Sequence, residues 1–399
     1  MSSATSSNTA RIQQSRQRAA ALLLGAALSG CDGGAIGFLL PAVRAETGSD
    51  PQQAAWMVSL YALGTLVAIA AAGAAVRRFG SNTVFRVCAA VSACGSLLAI
   101  LSHGMTLLLV ARLLQGLGQG PLIPVAAALV AVQWPIERQG RLLGAISLAY
   151  GAAFVAAMTL TPALLTFGWR SMFGITLAIA VGSLVALGSS SAKQPSPEPG
   201  AAVPRIERNR EISAIAVLAL GAGIGQAAVV LFPTLAVQRL GVAASGTGVL
   251  MLPMAAAGIL GTLGIAATLD RIGARRLVIA GAIAAVIGVL IASAAPASQT
   301  TFLLAAGALG LGMSLLSGGP LRYAAARAVT PDEQGPAQAG VALLTNVGVM
   351  GGSLLVGALA TRGSDERAAM ESAMIVACGI MAVLFVPVLF LRPHSRHQT

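Results

Sequence analysis

Apolar residues run along this chain in twelve blocks, each long enough to cross a membrane as a helix and each ended by a short polar break. A helix rises about 1.5 Å per residue, so about 20 apolar residues span the hydrocarbon core, where every backbone group has to bond within its own segment. The pattern predicts transmembrane helices over 19–41, 53–75, 84–104, 106–132, 145–167 and 171–188. Six more are predicted over 212–236, 245–268, 276–296, 300–321, 338–360 and 369–391.

One break is unlike the others. Residues 189–211, SSSAKQPSPEPGAAVPRIERNRE, are rich in proline, serine and charge and read as a flexible linker between two halves, 1–188 and 212–399. The halves echo one another. Arg77–Asn82 (RRFGSN) recurs 193 residues on from Asp270 (DRIGAR), and FLLP ending at Pro41 recurs as VLFP ending at Pro233. PIERQG at Pro135 and PDEQG at Pro331 each follow the fourth span of their half. Duplication of this kind marks transporters whose site lies between two repeats.

Charge orients the spans. With the N-terminus on the cytoplasmic side, nineteen of the 25 Lys and Arg residues fall on that side and five on the other, with Arg112 inside a span. The excess predicts both termini inside. Arginine outnumbers lysine 24 to 1, which fits a GC-rich genome and a bacterial inner membrane.

Composition agrees. Only 10% of the residues are charged and 56% are hydrophobic, with a mean hydropathy of +0.82, whereas a soluble globule carries about 25% charge. The net charge of +12 does not indicate nucleic acid, because the arginines sit at the ends of apolar runs and aromatic residues make up only 4%. Cys31, Cys88, Cys94 and Cys378 all fall in apolar stretches and are read as small buried side chains, without metal spacing. His103, His394 and His397 are read as loop and tail residues. No constellation for covalent catalysis is present, and GLGQG at Gly116–Gly120 lies inside an apolar span rather than after a strand, which removes the nucleotide-loop reading. The chain is therefore expected to be no enzyme and to need no cofactor or metal, with a gradient as its energy source.

Two charges stand deep inside spans. Of thirteen acidic residues only Asp32 lies deep in one, surrounded by Gly30, Gly33, Gly34 and Gly37. A carboxyl group in hydrocarbon holds its proton more tightly than one in water, so it can exchange a proton near neutral pH. A guanidinium such as Arg112 costs at least about 2.5–3.5 kcal/mol to insert, and it usually faces a protein interior or a water-filled cavity. Tyr61, Gln119, Tyr150, Gln226 and Asn346 are further polar residues in spans, either lining a cavity or bonding between helices. Met251, Met254 and Met313 are read as packing, with a promiscuous apolar pocket as the second reading. Leu28-Ser29-Gly30-Cys31 also has the look of a lipoprotein cleavage box, which would cut span one in half; the apolar run continuing through Phe38, Leu39 and Leu40 speaks against it.

Arg112-Leu113-Leu114-Gln115-Gly116-Leu117-Gly118 resembles the R-x-x-q-G-x-g signature of the major facilitator superfamily, specifically its drug/proton antiporters, and the resemblance extends over essentially the whole chain. Asp32 to Pro41 matches the aspartate-to-proline spacing of those antiporters' first helix, and Trp169-Arg170 with Phe173 matches W-R-x-x-F. The family loop G-x-L-a-D-r-x-G-r-k keeps Gly73 and Gly80 here, with Arg77 in place of its aspartate, then Arg78, and Ser81-Asn82 in place of its basic pair. The second copy, Asp270, Arg271, Gly273, Arg275 and Arg276, keeps the rest. Span five departs from G-x-x-x-G-P-x-x-G-G, retaining Thr161-Pro162 but carrying Leu165 and Thr166 where paired glycines belong.

The resemblance implies an all-α membrane protein of two pseudo-symmetric six-helix bundles. It also implies proton coupling or substrate binding at Asp32, Arg112 and Gln115, and a cytoplasmic gate in the two loop motifs. The bland alternatives are a permanent structural ion pair between Asp32 and Arg112 and a positive-inside loop without a latch. The expected function is proton-coupled efflux of small organic molecules by a monomer in the inner membrane, with no nucleic-acid partner. The lost span-five glycines leave uptake by symport or facilitation as a second reading, and, together with Arg77, a non-transporting sensor as a third.

Overall fold

The computed structural model describes residues 2–188, 210–243, 246–317, 319–330, 333–362 and 365–391. The predicted linker, apart from Arg210 and Glu211, lies outside the described residues. In chain order the helices are α1 (Ser2–Thr47), α2 (Pro51–Phe79), α3 (Ser81–Ile100), α4 (Met105–Gln119), α5 (Leu122–Gln133), α6 (Ile136–Leu164) and α7 (Arg170–Leu187). They continue as α8 (Arg210–Leu240), α9 (Thr247–Ile272), α10 (Ala274–Ala294), α11 (Gln299–Ser317), α12 (Gly319–Arg327), α13 (Gln334–Ala360) and α14 (Glu366–Phe385). Among the described residues there is no strand.

Among the described residues twelve helical stretches are long and apolar enough to cross a membrane, one for each predicted block. The largest departures in bounds are at the first and tenth, which extend over Ser15–Thr47 and Gln299–Arg327 and carry charged residues past the apolar run. The fourth, Met105–Val130, is built from α4 and α5. The division falls at Gly120-Pro121, where proline removes a backbone donor and crowds the preceding turn. The same Gly-Pro-Leu triplet, Gly319-Pro320-Leu321, opens α12.

The duplication read from the loops reappears in the packing. A Cβ on Gly30 would lie 2.1 Å from the Tyr150 carbonyl oxygen, which presses α1 against α6 backbone to backbone. In the second half a Cβ on Gly223 would meet the Thr345 carbonyl at the same 2.1 Å, between α8 and α13. Gly118 stands 2.4 Å by the same measure from the Ser92 nitrogen, joining α4 to α3, and Gly312 stands 2.4 Å from the Ala285 nitrogen, joining α11 to α10. Helices that cannot use the hydrophobic effect against lipid associate through such close approaches.

The two motif loops share a turn as well. Gly80 (φ 79°, ψ 150°) caps α3 and Gly273 (φ 83°, ψ 151°) caps α10, a backbone region reserved almost wholly for glycine.

By packing, the described residues fall into two compact units. One takes in the chain up to Ala35 with Gly64–Met158 and the chain from Phe167 to the end of α7; the other takes in Ile36–Leu63, Thr159–Thr166 and the chain from α8 onward. The sequence halves follow the repeat, whereas these units group the end of α1, the start of α2 and the end of α6 with the second half. The first unit has a core of Leu22, Leu28, Phe85, Leu122, Leu129 and Val130. Large apolar side chains such as Leu148, Val185, Leu260 and Leu304 are exposed, as a hydrocarbon solvent requires.

Cys31, Cys88 and Cys378 are buried as expected, and Cys31 lies mid-helix with α1 continuous on both sides. Cys94 departs from that expectation. It is exposed on α3, because the helix face that carries it turns away from the neighbouring helices.

Candidate functional site

Asp32 sits on α1 where glycines let α6 approach, and Arg112 on α4 is, among the described residues, the largest side chain wholly enclosed by protein. The two are 3% and 1% exposed. Arg112 Nη1 donates to Asp32 Oδ1 at 2.7 Å and Nη2 to Oδ2 at 3.1 Å, so the planar guanidinium meets the carboxylate with both prongs. Arg112 Nη1 also donates to Gln115 Oε1 at 2.8 Å, one turn further along α4. The i, i+3 spacing puts Gln115 on the same helix face as Arg112.

Such an arrangement answers the cost of placing charge in hydrocarbon. Each ion has lost its water, and the loss is recovered only when geometry is good and the remaining donors are met. Here the carboxylate accepts two charge-assisted bonds while the guanidinium gains a third, neutral acceptor. The pair as a whole carries no net charge. Proton uptake by the carboxylate, or arrival of another cation, would leave the guanidinium without its counter-charge.

The sequence singled out Asp32, Arg112 and Gln115, and the structure brings them together. It also adds two residues that sequence reading passed over. Gln115 Nε2 donates to Ser96 Oγ on α3 at 2.9 Å, and Ser96 Oγ lies 3.0 Å from Thr176 Oγ1 on α7. The available signal was Ser92 and Ser96, four residues apart in an apolar span. Gln119 is buried one further turn along α4, where its carbonyl accepts from Ser29 Oγ at 3.3 Å. Tyr150 is half-buried on α6 and stacks on Phe154 with centroids 6.4 Å apart. These residues belong to the first compact unit.

Tyr61, Gln226 and Asn346 are half-buried in the second unit. Asn346 donates from Nδ2 to the Ala342 carbonyl of its own helix at 2.9 Å. Met251, Met254 and Met313 are buried.

Of the loop motifs, Gly80 and Gly273 hold the positive-φ turns described above. Gly73 is exposed and meets only the guanidinium of Arg77, at 3.7 Å from a Cβ placed on it. Arg77, Arg78, Arg271 and Arg276 are exposed and Arg275 is half-buried, with Arg78 over the Phe79 ring at 5.3 Å. The side chain of Asp270 lies outside the described residues. The W-R-x-x-F residues form one corner. Trp169 meets Phe173 edge-on at 5.9 Å, and Arg170 stacks on Trp169 at 4.1 Å while donating to the Ser102 carbonyl at 2.8 Å.

At the end of α1 remote from Ser2, Arg44 pairs with Glu366 of α14 at 2.5 Å. Both belong to the second unit.

Comparison with known proteins bears on the family and the fold. The Major Facilitator Superfamily model matches residues 22–269 and 257–399. The chain is similar to the uncharacterized MFS-type transporter YfiU of Bacillus subtilis, 31% identical over 42% of this chain and 33% of that protein. It is also similar to a multidrug resistance protein B homolog of Mycobacterium tuberculosis, 31% identical over 35% of this chain and 26% of that protein. The chain thus spans about a third or less of the length of these curated relatives. Among solved structures, the D-xylose-proton symporter superposes with a TM-score of 0.76 at 15% identity, over 96% of this chain and 99% of that one, a likeness of fold. With the superfamily model covering nearly all of the chain and twelve helices fit to cross a bilayer, this multi-pass membrane protein belongs to the Major Facilitator Superfamily.

Proposed function

We propose that this chain is a proton-coupled exporter of small organic molecules, cationic or amphipathic, working by alternating access. The observation that carries the reading is the buried Asp32–Arg112 pair, the one carboxylate deep in an apolar block of the sequence held by a guanidinium deep in another. In this reading Asp32 is occupied in turn by Arg112, by a proton and by a cationic substrate. Facing inward and deprotonated, it favours substrate; facing outward, a proton displaces the substrate and resets the cycle. Residues 1–188 and 212–399 act as the two rocking bundles, joined by a cytoplasmic linker at 189–211. The chain works as a monomer in the inner membrane with both termini inside, and the basic loop motifs around Gly80 and Gly273 form the cytoplasmic gate. The name of the Mycobacterium tuberculosis relative supports a drug-like substrate.

A second reading, proton symport or facilitated uptake of a small nutrient, is favoured by Leu165 and Thr166, which stand where antiporters of this kind carry paired glycines.

Proton flux in proteoliposomes with an imposed pH gradient separates these readings. Ethidium is the probe, tested on wild type and Asp32→Asn. The exporter reading requires substrate-triggered proton release that disappears in the variant. Proton movement in the same direction as substrate would turn the reading to symport. Ethidium binding without any flux would point to a sensor.

A further inference from the structure

The polar chain that starts at Asp32 continues through four helices and ends on a backbone carbonyl. Gln115 Nε2 donates to Ser96 Oγ, Ser96 and Thr176 share a hydrogen bond, and Thr176 Oγ1 donates to the Phe173 carbonyl at 3.0 Å. Gln115, Ser96 and Thr176 are all buried.

A hydroxyl has one proton to give. Thr176 gives its proton to Phe173, so toward Ser96 it accepts. Ser96 has then given its own proton to Thr176, so toward Gln115 it accepts in turn, and the group that faces it must be the amide nitrogen. The amide oxygen of Gln115 is left facing Arg112. The orientation of a glutamine amide follows from its neighbours, and here the ordering begins at a carbonyl on α7. With the amide turned over, its N–H groups would meet the guanidinium donor to donor. Its oxygen would face a hydroxyl whose proton is already engaged. Gly95 removes any slack, since a Cβ there would lie 2.9 Å from Gln115 Cγ.

We propose that Ser96 and Thr176 are positioning residues of the Asp32–Arg112 pair. They touch neither ion. By fixing the Gln115 amide with its oxygen toward Arg112, they keep the guanidinium aimed at the carboxylate and so set how readily the pair separates. This deepens the exporter reading and rests on it for its consequence in coupling. The geometric claim is separable from transport.

The deciding experiment needs no substrate. Infrared spectra of the purified full-length chain in lipid nanodiscs are recorded at neutral pH, and the Asp32 carboxylate band is assigned by its loss in Asp32→Asn. Ser96→Ala and Thr176→Val are expected to move that band toward the position of a carboxylate without two-pronged guanidinium bonding. Thr176→Ser, which keeps the hydroxyl, is expected to leave it at the wild-type position. An unmoved band in Ser96→Ala and Thr176→Val overturns the proposal, as does a Thr176→Ser shift equal to that of Thr176→Val. Should Thr176→Val fail to fold, the comparison of Ser96→Ala with Thr176→Ser carries the same decision. A wild type that releases no protons with ethidium would remove the exporter reading and leave this result standing.

Discussion

Arg112 holds Asp32 through two nitrogens, at 2.7 and 3.1 Å, across helices whose sequence positions are 80 residues apart. Breaking such a pair from one side strands the other charge in the interior, at a cost of about 3–5 kcal/mol, whereas replacing both partners by apolar groups of similar volume is often close to neutral. Asp32→Leu and Arg112→Met are therefore each expected to lower the unfolding temperature in detergent strongly. The double variant is expected to lie above both. Additive losses would mean that the two charges do not depend on one another.

Gly80 and Gly273 stand in corresponding turns with φ of 79° and 83° and ψ near 150°. An alanine in that region carries strain of about 1–3 kcal/mol. Gly80→Ala and Gly273→Ala should each destabilise the chain by that order. Gly151→Ala, inside α6 with no heavy atom within 4 Å of the added carbon, should be neutral or stabilising. Equal effects at the three sites, measured by thermal unfolding, would remove backbone strain as the reason for the motif glycines.

The spans were legible because hydropathy alone decides which segments enter lipid, and the twelve stretches follow the apolar blocks to within a few residues at most ends. Asp32, Arg112 and Gln115 were legible for a related reason, since a charge in an apolar run needs a partner and the sequence offers few. Ser96 and Thr176 were not. Small hydroxyls in helices commonly bond to their own backbone, as Thr176 also does with Phe173, and only the rotation of α3 and α7 turns Ser96 toward Gln115 and Thr176 toward Ser96. Asn346 shows the opposite case, a polar residue in a span whose amide donates to Ala342 of its own helix. Arg44 and Glu366 lie just outside the predicted apolar blocks. Their meeting depends on a fold that joins positions 322 residues apart, which no local pattern contains.

Glu333, in the polar break before α13, accepts at Oε2 from the Thr330 backbone N–H at 3.0 Å and from its hydroxyl at 2.8 Å. The backbone bond first, and the hydroxyl second, hold the Glu333 carboxyl below its ordinary 4.5. A value lowered on folding contributes stability above the unfolded-state pKa and loses it as pH falls through the lowered one. Hydrogen exchange at the Thr330 amide should therefore be slower in wild type than in Glu333→Gln at neutral pH. The two rates should converge as pH falls below 4.5. A difference that persisted in acid would mean that the protection does not come from the carboxylate.

Arg44 and Glu366 form a partly exposed pair, 17% and 47% accessible at the side chain, while Arg239 is 6% accessible and pairs with Glu371 at 2.7 Å. Glu366 also accepts from Gln238 Nε2 at 2.9 Å, and Arg239 donates to the carbonyls of Ala292 and Ala295 at the end of α10. Exposure decides how much each matters. An accessible pair is worth about 0.2–1 kcal/mol and is screened by salt, so Arg44→Ala should cost little and less still in high salt. The swap Arg44→Glu with Glu366→Arg should recover part of what either reversal alone loses. Arg239 serves two part-buried carbonyls at the end of a helix, and leaving a fully buried acceptor unmet costs about 1–3 kcal/mol, an upper bound here. Arg239→Ala is thus expected to exceed Arg44→Ala in its loss of thermal stability, with little dependence on salt. The reverse ranking in a salt series would mean that accessible charge, rather than the capping of α10, holds this end of the second unit together.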